Sequence, residues 1–325
     1  MIKQVKWGII GCGNVTEKKS GPAFNQVEGS SLQAVMRRDL NLVQDYAERH
    51  HVPQWTNNAD SLIHNDEVNA IYIATPPGLH AEYAIKAMKT GKPVYVEKPM
   101  AATYEQCEEM LRVSKETGML IFVAYYRRSL PGFLKVKELI EDDIIGRVLY
   151  VNMRLTRPAT KDEVSGNPWR LKKDLAGGGI FYDLASHQLD YLDFLFGPVV
   201  EANGIVSNRS GLYDVEDTIS ASLRYENGVI ANGLWSFVTS IDAKEDVMEV
   251  IGSKGKIVFS AFAHTPIYLH INGEVIEFPY LNPDHIQYNL INQLVNTIMG
   301  KGTCISTGES AARTNKVMEQ IVYKK

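Results

Sequence analysis

The chain is poor in cysteine, with three among 325 residues, at Cys12, Cys107 and Cys304. They lie far apart and form neither a CxxC pair nor a metal-ligand spacing. An odd, low count suits a reducing compartment and excludes a disulfide-stapled scaffold. An excess of basic residues is also missing: 34 Lys and Arg stand against 38 Asp and Glu, for a formal net charge of -4. Without a basic footprint, nucleic acid is not an expected partner. No window approaches the roughly 18 uncharged apolar residues of a membrane span. The opening residues, Met1 to Lys6, run into a strand with no apolar signal core. A cytoplasmic protein without a membrane partner is expected. There is no internal repeat and no low-complexity segment.

What remains is an ordinary globular composition, 45% apolar and 22% charged. The length exceeds the roughly 100–200 residues of one domain, so two are expected, 1–125 and 126–325. In the first, the runs Val5–Ile10, Leu32–Met36, Ala70–Ala74, Val94–Val96 and Leu120–Ala124 are nearly continuously apolar, as strands buried on both faces must be. Amphipathic stretches such as His80–Met88 and Tyr104–Glu116 lie between them. Strand and helix in alternation predict an α/β domain with a doubly wound parallel sheet, the Rossmann arrangement.

After Tyr126 the strands lengthen and alternate: Arg147–Arg157, Thr218–Tyr225, Val229–Phe237, Val247–Ile251 and Lys256–Phe259. Asn227-Gly228 and Asn272-Gly273 sit between such runs and suit the two positive φ values of a type I′ hairpin. The second domain is expected to be α+β, with a largely antiparallel, open-faced sheet and one clear helix, Phe181–Phe196. Two further helices close the chain and are free to pack back on the first domain. One is expected to open at Asn282-Pro283, with proline in its first turn. The other is expected to open at Ser306, which has capping-box spacing to Glu309.

Gly11-Cys12-Gly13-Asn14-Val15-Thr16 follows the first strand directly. Gly11 and Gly13 fit the first two positions of GxGxxG, for a tight turn and for approach of a pyrophosphate to backbone N–H groups. Thr16 replaces the third small residue. The second strand ends in Arg37-Arg38 rather than in the acid that binds a ribose 2′-hydroxyl. Two guanidinium groups suit a 2′-phosphate. NADP is therefore the expected cofactor, with NAD as the alternative through Asp39.

Further motifs complete the set: Ala74-Thr75-Pro76-Pro77-Gly78-Leu79-His80, Glu97-Lys98-Pro99, and Gly177-Gly178-Gly179 running into Ile180 through His187. Together they resemble the Gfo/Idh/MocA family, named for glucose–fructose oxidoreductase and inositol dehydrogenase, over essentially the whole chain. The resemblance implies an NAD(P)-dependent oxidoreductase acting on a sugar-like small molecule, assembled as a homodimer or tetramer. It implies that Lys98 lies near the nicotinamide and that Asp183 and His187 complete the catalytic set. Thr75, Pro76, Pro77, His80 and Glu97 are then cofactor contacts, joined by Trp169 and Arg170. Residues 126–325 become the substrate-binding and oligomerisation domain. Arg37-Arg38 departs from the NAD preference of the inositol dehydrogenase branch.

The residues support the same chemistry on their own terms. On a helix, Asp183, His187 and Asp190 share one stripe, with Phe181, Ala185, Gln188, Leu192 and Leu195 opposite. Imidazole titrates near neutrality, so His187 can take a proton from a hydroxyl during oxidation and return it in reduction. Asp183 can orient it, and the Lys98 ammonium can stabilise a developing alkoxide. Tyr126 and Arg127 are candidates to line the substrate cleft; His285, Lys18 and Lys19 fit a surface role better. No ligand at fixed spacing argues for a metal. The alternatives are a redox-neutral glycosidase or lyase with a retained cofactor, and a non-sugar carbonyl or diol reductase.

Overall fold

The first strand, β1 (Val5–Ile10), is buried at all but one of its six positions, as a central parallel strand requires. Around it stand β2 (Ser30–Met36), β3 (Gln54–Thr56), β4 (Ala70–Ile73), β5 (Val94–Val96) and β6 (Ile121–Val123), in the order β3-β2-β1-β4-β5-β6. Every neighbouring pair is parallel. This computed structural model describes residues 2–166 and 168–324. The six strands belong to one compact unit, Met1–Ser129 with Pro283–Ala312; Leu130–Asn282 with Arg313–Lys325 form a second. Strand β3 was not among the apolar runs because it is a polar edge, with Gln54 and Trp55 exposed.

Both faces of the parallel sheet are covered. On one side Trp7, Phe24, Tyr72 and Tyr95 stack in series, with ring centroids 5.0, 5.3 and 4.8 Å apart. A second core gathers Ile10, Ile71, Ile73, Val94 and Val96 with Ala84, Ala87 and Met88 of helix His80–Lys89 and Met110 of helix Tyr104–Thr117. Strand order reverses between β1 and β4. In doubly wound sheets ligands bind beyond the carboxyl ends of the strands at that point.

The second unit holds β7 (Val148–Thr156), β8 (Val199–Ser207), β9 (Thr218–Tyr225), β10 (Ile230–Ser236), β11 (Glu245–Gly252), β12 (Gly255–Phe259), β13 (Ile267–Ile271) and β14 (Glu274–Phe278). They run β14-β13-β12-β11-β7-β10-β9-β8, antiparallel except between β7 and β10. Alternation works as period-two strands demand: Ile219, Ala221, Leu223 and Tyr225 are buried, and Ser220, Ser222 and Arg224 are exposed. The inner face packs on helix Ile180–Phe196, through Phe181 against Trp235 and Phe196 against Tyr225. The outer face leaves Ile205, Ile230 and Leu234 exposed. Among the described residues no helix is long and apolar enough to cross a membrane.

Four local expectations change. Asn272 and Gly273 have φ of 52° and 82° and form the expected turn, but at Asn227-Gly228 only the glycine is left-handed, at 88°. The helix expected at Pro283 forms later, over Tyr288–Ile298 with Gln287 as its cap residue. The residues before it are held otherwise: His285 Nδ1 meets the Lys18 carbonyl and the Gln287 N–H donates to the Lys19 carbonyl. In the last helix, Gly308–Tyr323, Thr307 is the capping side chain, accepting the Ser310 N–H. The Ser306 hydroxyl instead donates to the Val123 carbonyl. Finally, the second unit contains a further helix, Pro131–Glu141.

Candidate active site

In the first unit, the loops after β1 and β4 meet at the reversal point. Gly11 is left-handed, with φ of 92°, and a Cβ there would stand 2.9 Å from Thr75 Cγ2 and 3.0 Å from the Thr75 amide nitrogen. Gly13 differs: a Cβ would meet nothing closer than the Gly11 oxygen at 3.9 Å. The missing side chain thus leaves open space above the loop. Helix Asn14–Lys18 follows, five residues long. Thr16 is fully buried; its hydroxyl accepts the Gly13 N–H and donates to the Gly13 carbonyl, both at 2.9 Å. It therefore ties the turn that a third glycine would leave loose. The N–H groups of Asn14 and Val15 have no hydrogen-bond acceptor among the described residues.

At the end of β2, Arg37 is half-buried, with Nη1 3.5 Å from the Cys12 carbonyl, and Arg38 is exposed. Burial pushes the Cys12 thiol up to about 12. Asp39 is committed to its own helix: one carboxylate oxygen accepts the N–H groups of Asn41 and Leu42, each at 3.0 Å, as the N-cap of Leu40–Arg49. The open space at Gly13, the unengaged N–H groups and the guanidinium beside the loop fit a phosphate-bearing dinucleotide.

Two residues expected to touch the cofactor turn inward. His80 is fully buried, with Nε2 2.8 Å from the Thr75 carbonyl and Nδ1 3.1 Å from the Pro99 carbonyl. Burial pushes its pKa down. It clasps the loops after β4 and β5 from beneath rather than facing a ligand. Glu97 is 8% exposed and both its oxygens are engaged by protein donors. Oε1 accepts the Tyr72 hydroxyl and Gln287 Nε2, each at 2.7 Å, and Oε2 accepts the Lys98 backbone N–H at 3.2 Å. Pro76 and Pro77 shape the short turn Pro77–Leu79, and the Lys98-Pro99 peptide is cis. Tyr126 and Arg127 are buried, the guanidinium lying 5.2 Å from the tyrosine ring centre. Gln287 was not anticipated, since its partner Glu97 lies 190 positions away.

In the second unit, the glycine run is dictated by packing. Gly177 is left-handed at 84°, a Cβ on Gly178 would stand 2.2 Å from the Tyr182 ring, and one on Gly179 would stand 2.8 Å from Val215. The Tyr323 hydroxyl donates to the Gly177 carbonyl and the Glu216 carboxylate accepts the Gly179 N–H. Burial pushes the Glu216 carboxyl up. Helix Ile180–Phe196 then starts with Asp183 in its first turn. The two-faced helix expected from the sequence is instead buried nearly all round, in 13 of its 17 residues, including His187 and Asp190. Arg170 Nε donates to Asp183 at 2.8 Å while its guanidinium covers the Trp169 ring at 4.5 Å. Asn167, just before them, lies outside the described residues. The His187 ring meets Phe262 edge to face, with centroids 5.9 Å apart. Phe262 also went unanticipated. Its loop is held by Asp246, which accepts the consecutive N–H groups of Ala261, Phe262 and Ala263 at 3.0, 2.6 and 2.7 Å. Among the described residues no group of three or more His, Cys, Asp or Glu side chains is placed to hold a metal ion.

Comparison with known proteins agrees with both units. Residues 5–125 match the model of an oxidoreductase family with an NAD-binding Rossmann fold, and residues 133–258 match the GFO/IDH/MocA C-terminal domain. The chain is 38% identical to Oxidoreductase P35 of Formosa agariphila, over 98% of each protein. It is 25% identical to 1,5-anhydro-D-fructose reductase of Ensifer adhaerens, over 94% of this chain and 91% of that one. Among solved structures, the aldose-aldose oxidoreductase of Caulobacter crescentus, complexed with glycerol, superposes with a TM-score of 0.86 at 25% identity, over 99% of this chain and 97% of that one. The chain is a member of the Gfo/Idh/MocA family of oxidoreductases, with an NAD-binding Rossmann unit.

Proposed function

We propose that this chain is a cytoplasmic, NADP-preferring oxidoreductase acting on a carbon that bears oxygen in a sugar-like or polyol substrate. The observation that carries the cofactor choice is the end of β2. There Arg37 flanks the dinucleotide loop, and Asp39, the acid that follows the arginine pair, caps a helix. The substrate class rests on the relatives, whose names specify an anhydrofructose and an aldose.

In this reading the open space at Gly13 and the N–H groups of Asn14 and Val15 receive the pyrophosphate, and Arg37 pairs with the 2′-phosphate. Bound nicotinamide supplies the hydride acceptor or donor. The chain's own residues manage the proton and the charge. His187 takes the proton of the substrate hydroxyl in oxidation and returns it in reduction. Asp183 stabilises the imidazolium, and Arg170 sets the orientation of its carboxylate. Lys98 stabilises the charge developing on the substrate oxygen. The outer face of the large sheet, with Ile205 77% and Ile230 47% exposed, serves as the contact between copies of the chain.

A sugar and polyol screen that follows reduced-cofactor absorbance tests the reading. With an active substrate, His187→Ala should lower kcat/KM by about 10²–10⁴ with NADPH affinity unchanged. Near-normal turnover would remove His187 from the mechanism. Repeated turnover after gel filtration, with no free dinucleotide, would favour a redox-neutral cycle.

A further inference from the structure

Gln287 has no place in the chemistry above, yet it is fully buried and every polar atom of its side-chain amide is directed. Its Oε1 accepts the Tyr95 hydroxyl at 2.7 Å, and its Nε2 donates to Glu97 Oε1 at 2.7 Å. The same Glu97 oxygen accepts the Tyr72 hydroxyl at 2.7 Å, and the Ser20 hydroxyl lies 3.1 Å from Tyr72. Burial holds both tyrosine pKa values well above the usual phenol range, so both phenols act as neutral donors. A buried carboxylate persists only where donors satisfy it. Two donors fix one oxygen of Glu97, which leaves the other aimed at the Lys98 N–H. The peptide from which Lys98 projects is thus set by a glutamine near the other end of the chain.

We propose that Gln287 is a positioning residue for Lys98, acting through Glu97. The functional weight of this rests on the reading that Lys98 serves the nicotinamide site, but the positioning itself can be measured without substrate. Native protein is pulsed with acetic anhydride across a pH range, and labelling of Lys98 is compared by mass spectrometry with the exposed Lys89 and Lys115. In Gln287→Met the donor is gone at every pH. The Lys98 rate, relative to those references, should rise about threefold or more, because an unmade buried hydrogen bond shifts equilibria by at least that much. Gln287→Glu should behave differently. While a proton is shared between the two carboxyls it still donates to Glu97, so labelling should match the wild type near about pH 6. Once that proton leaves, two facing carboxylates repel, and labelling should move to the Gln287→Met value by about pH 9. A Gln287 that only fills space would leave Lys98 labelling in Gln287→Met at the wild-type value at every pH.

If Gln287→Met does not fold, Tyr95→Phe removes the hydroxyl that aligns the amide and should shift Lys98 in the same direction. Lys98 labelling that is unchanged, or that changes equally at Lys89 and Lys115, overturns the proposal, as does a flat pH profile in Gln287→Glu. The functional reading is read separately: NADPH should protect Lys98 in the wild type. Absent protection would count against that reading alone, while the Gln287 effect would still stand on its own labelling data.

Discussion

Replacing Arg37 by alanine should remove most of the expected preference for NADPH over NADH. The guanidinium is half-buried at the end of β2 and contacts the Cys12 carbonyl only at 3.5 Å, so little holds it apart from a ligand. A hydrogen bond to a charged group contributes about 1.5–3 kcal/mol, and partial exposure argues for the lower end. That corresponds to roughly a tenfold ratio of dissociation constants, since about 1.4 kcal/mol is a factor of ten. Arg38, fully exposed, should contribute less. The wild-type gap should narrow with added salt, because exposed charges are screened over about 8–10 Å at physiological ionic strength. It should also narrow as pH falls below about 6, where a phosphate monoester dianion takes up one proton and loses half its charge. Cofactor-fluorescence titration with NADPH and NADH, for wild type, Arg37→Ala and Arg38→Ala, gives all three ratios. Equal wild-type affinities would refute the argument, and so would an Arg37→Ala variant that loses both cofactors equally.

Two glycines should respond oppositely to alanine. Gly13→Ala faces open space, so thermal stability should hold while NADPH affinity falls; Gly178→Ala meets the Tyr182 ring at 2.2 Å and should destabilise the fold by about 1–3 kcal/mol, read by denaturant unfolding. Glu17 is held down to about 2 by its hydrogen bonds from Arg49, with His50 adding to them. Because the folded-state value is the lower one, its stabilisation is present above about 4.5 and is lost as pH falls toward 2. Glu17→Gln should therefore flatten the acid limb of stability against pH, and an unchanged limb would show the pair to be inert. Burial lifts Cys12 to about 12 and Cys304 to about 11, and Cys107 is buried too. Iodoacetamide at about pH 8 should leave all three unmodified until the protein is denatured, as counted by intact mass.

Much of the fold was already written in local pattern. Val5–Ile10 and Val94–Val96 are legible because strands buried on both faces must be apolar throughout, and Thr218–Tyr225 because a half-buried strand must alternate. Gly11 and Gly177 are legible because the turns they occupy require positive φ. Edge strands escape that logic: Gln54–Thr56 and Val199–Ser207 have no fully buried position and so no clear period to detect. Asn-Gly permits a left-handed pair without compelling it, and the two copies in this chain fold differently. Ser306 had the right spacing for a cap, but the Val123 carbonyl claimed its hydroxyl and the neighbouring Thr307 took the role.

The candidate site divides in the same way. Motif spacing picks out His80 and Glu97, but which way a side chain turns depends on what lies beneath it. Both found partners inside the first unit. Phe262 beside His187 and Gln287 beside Glu97 carry no local signature at all, because a contact partner from a distant segment leaves no periodicity in either stretch of chain. Hydrophobic periodicity and glycine placement are properties of neighbouring residues, and composition and order settle them. The pairing of buried polar groups is a property of the assembled chain, and only the tertiary structure decides which donor meets which acceptor.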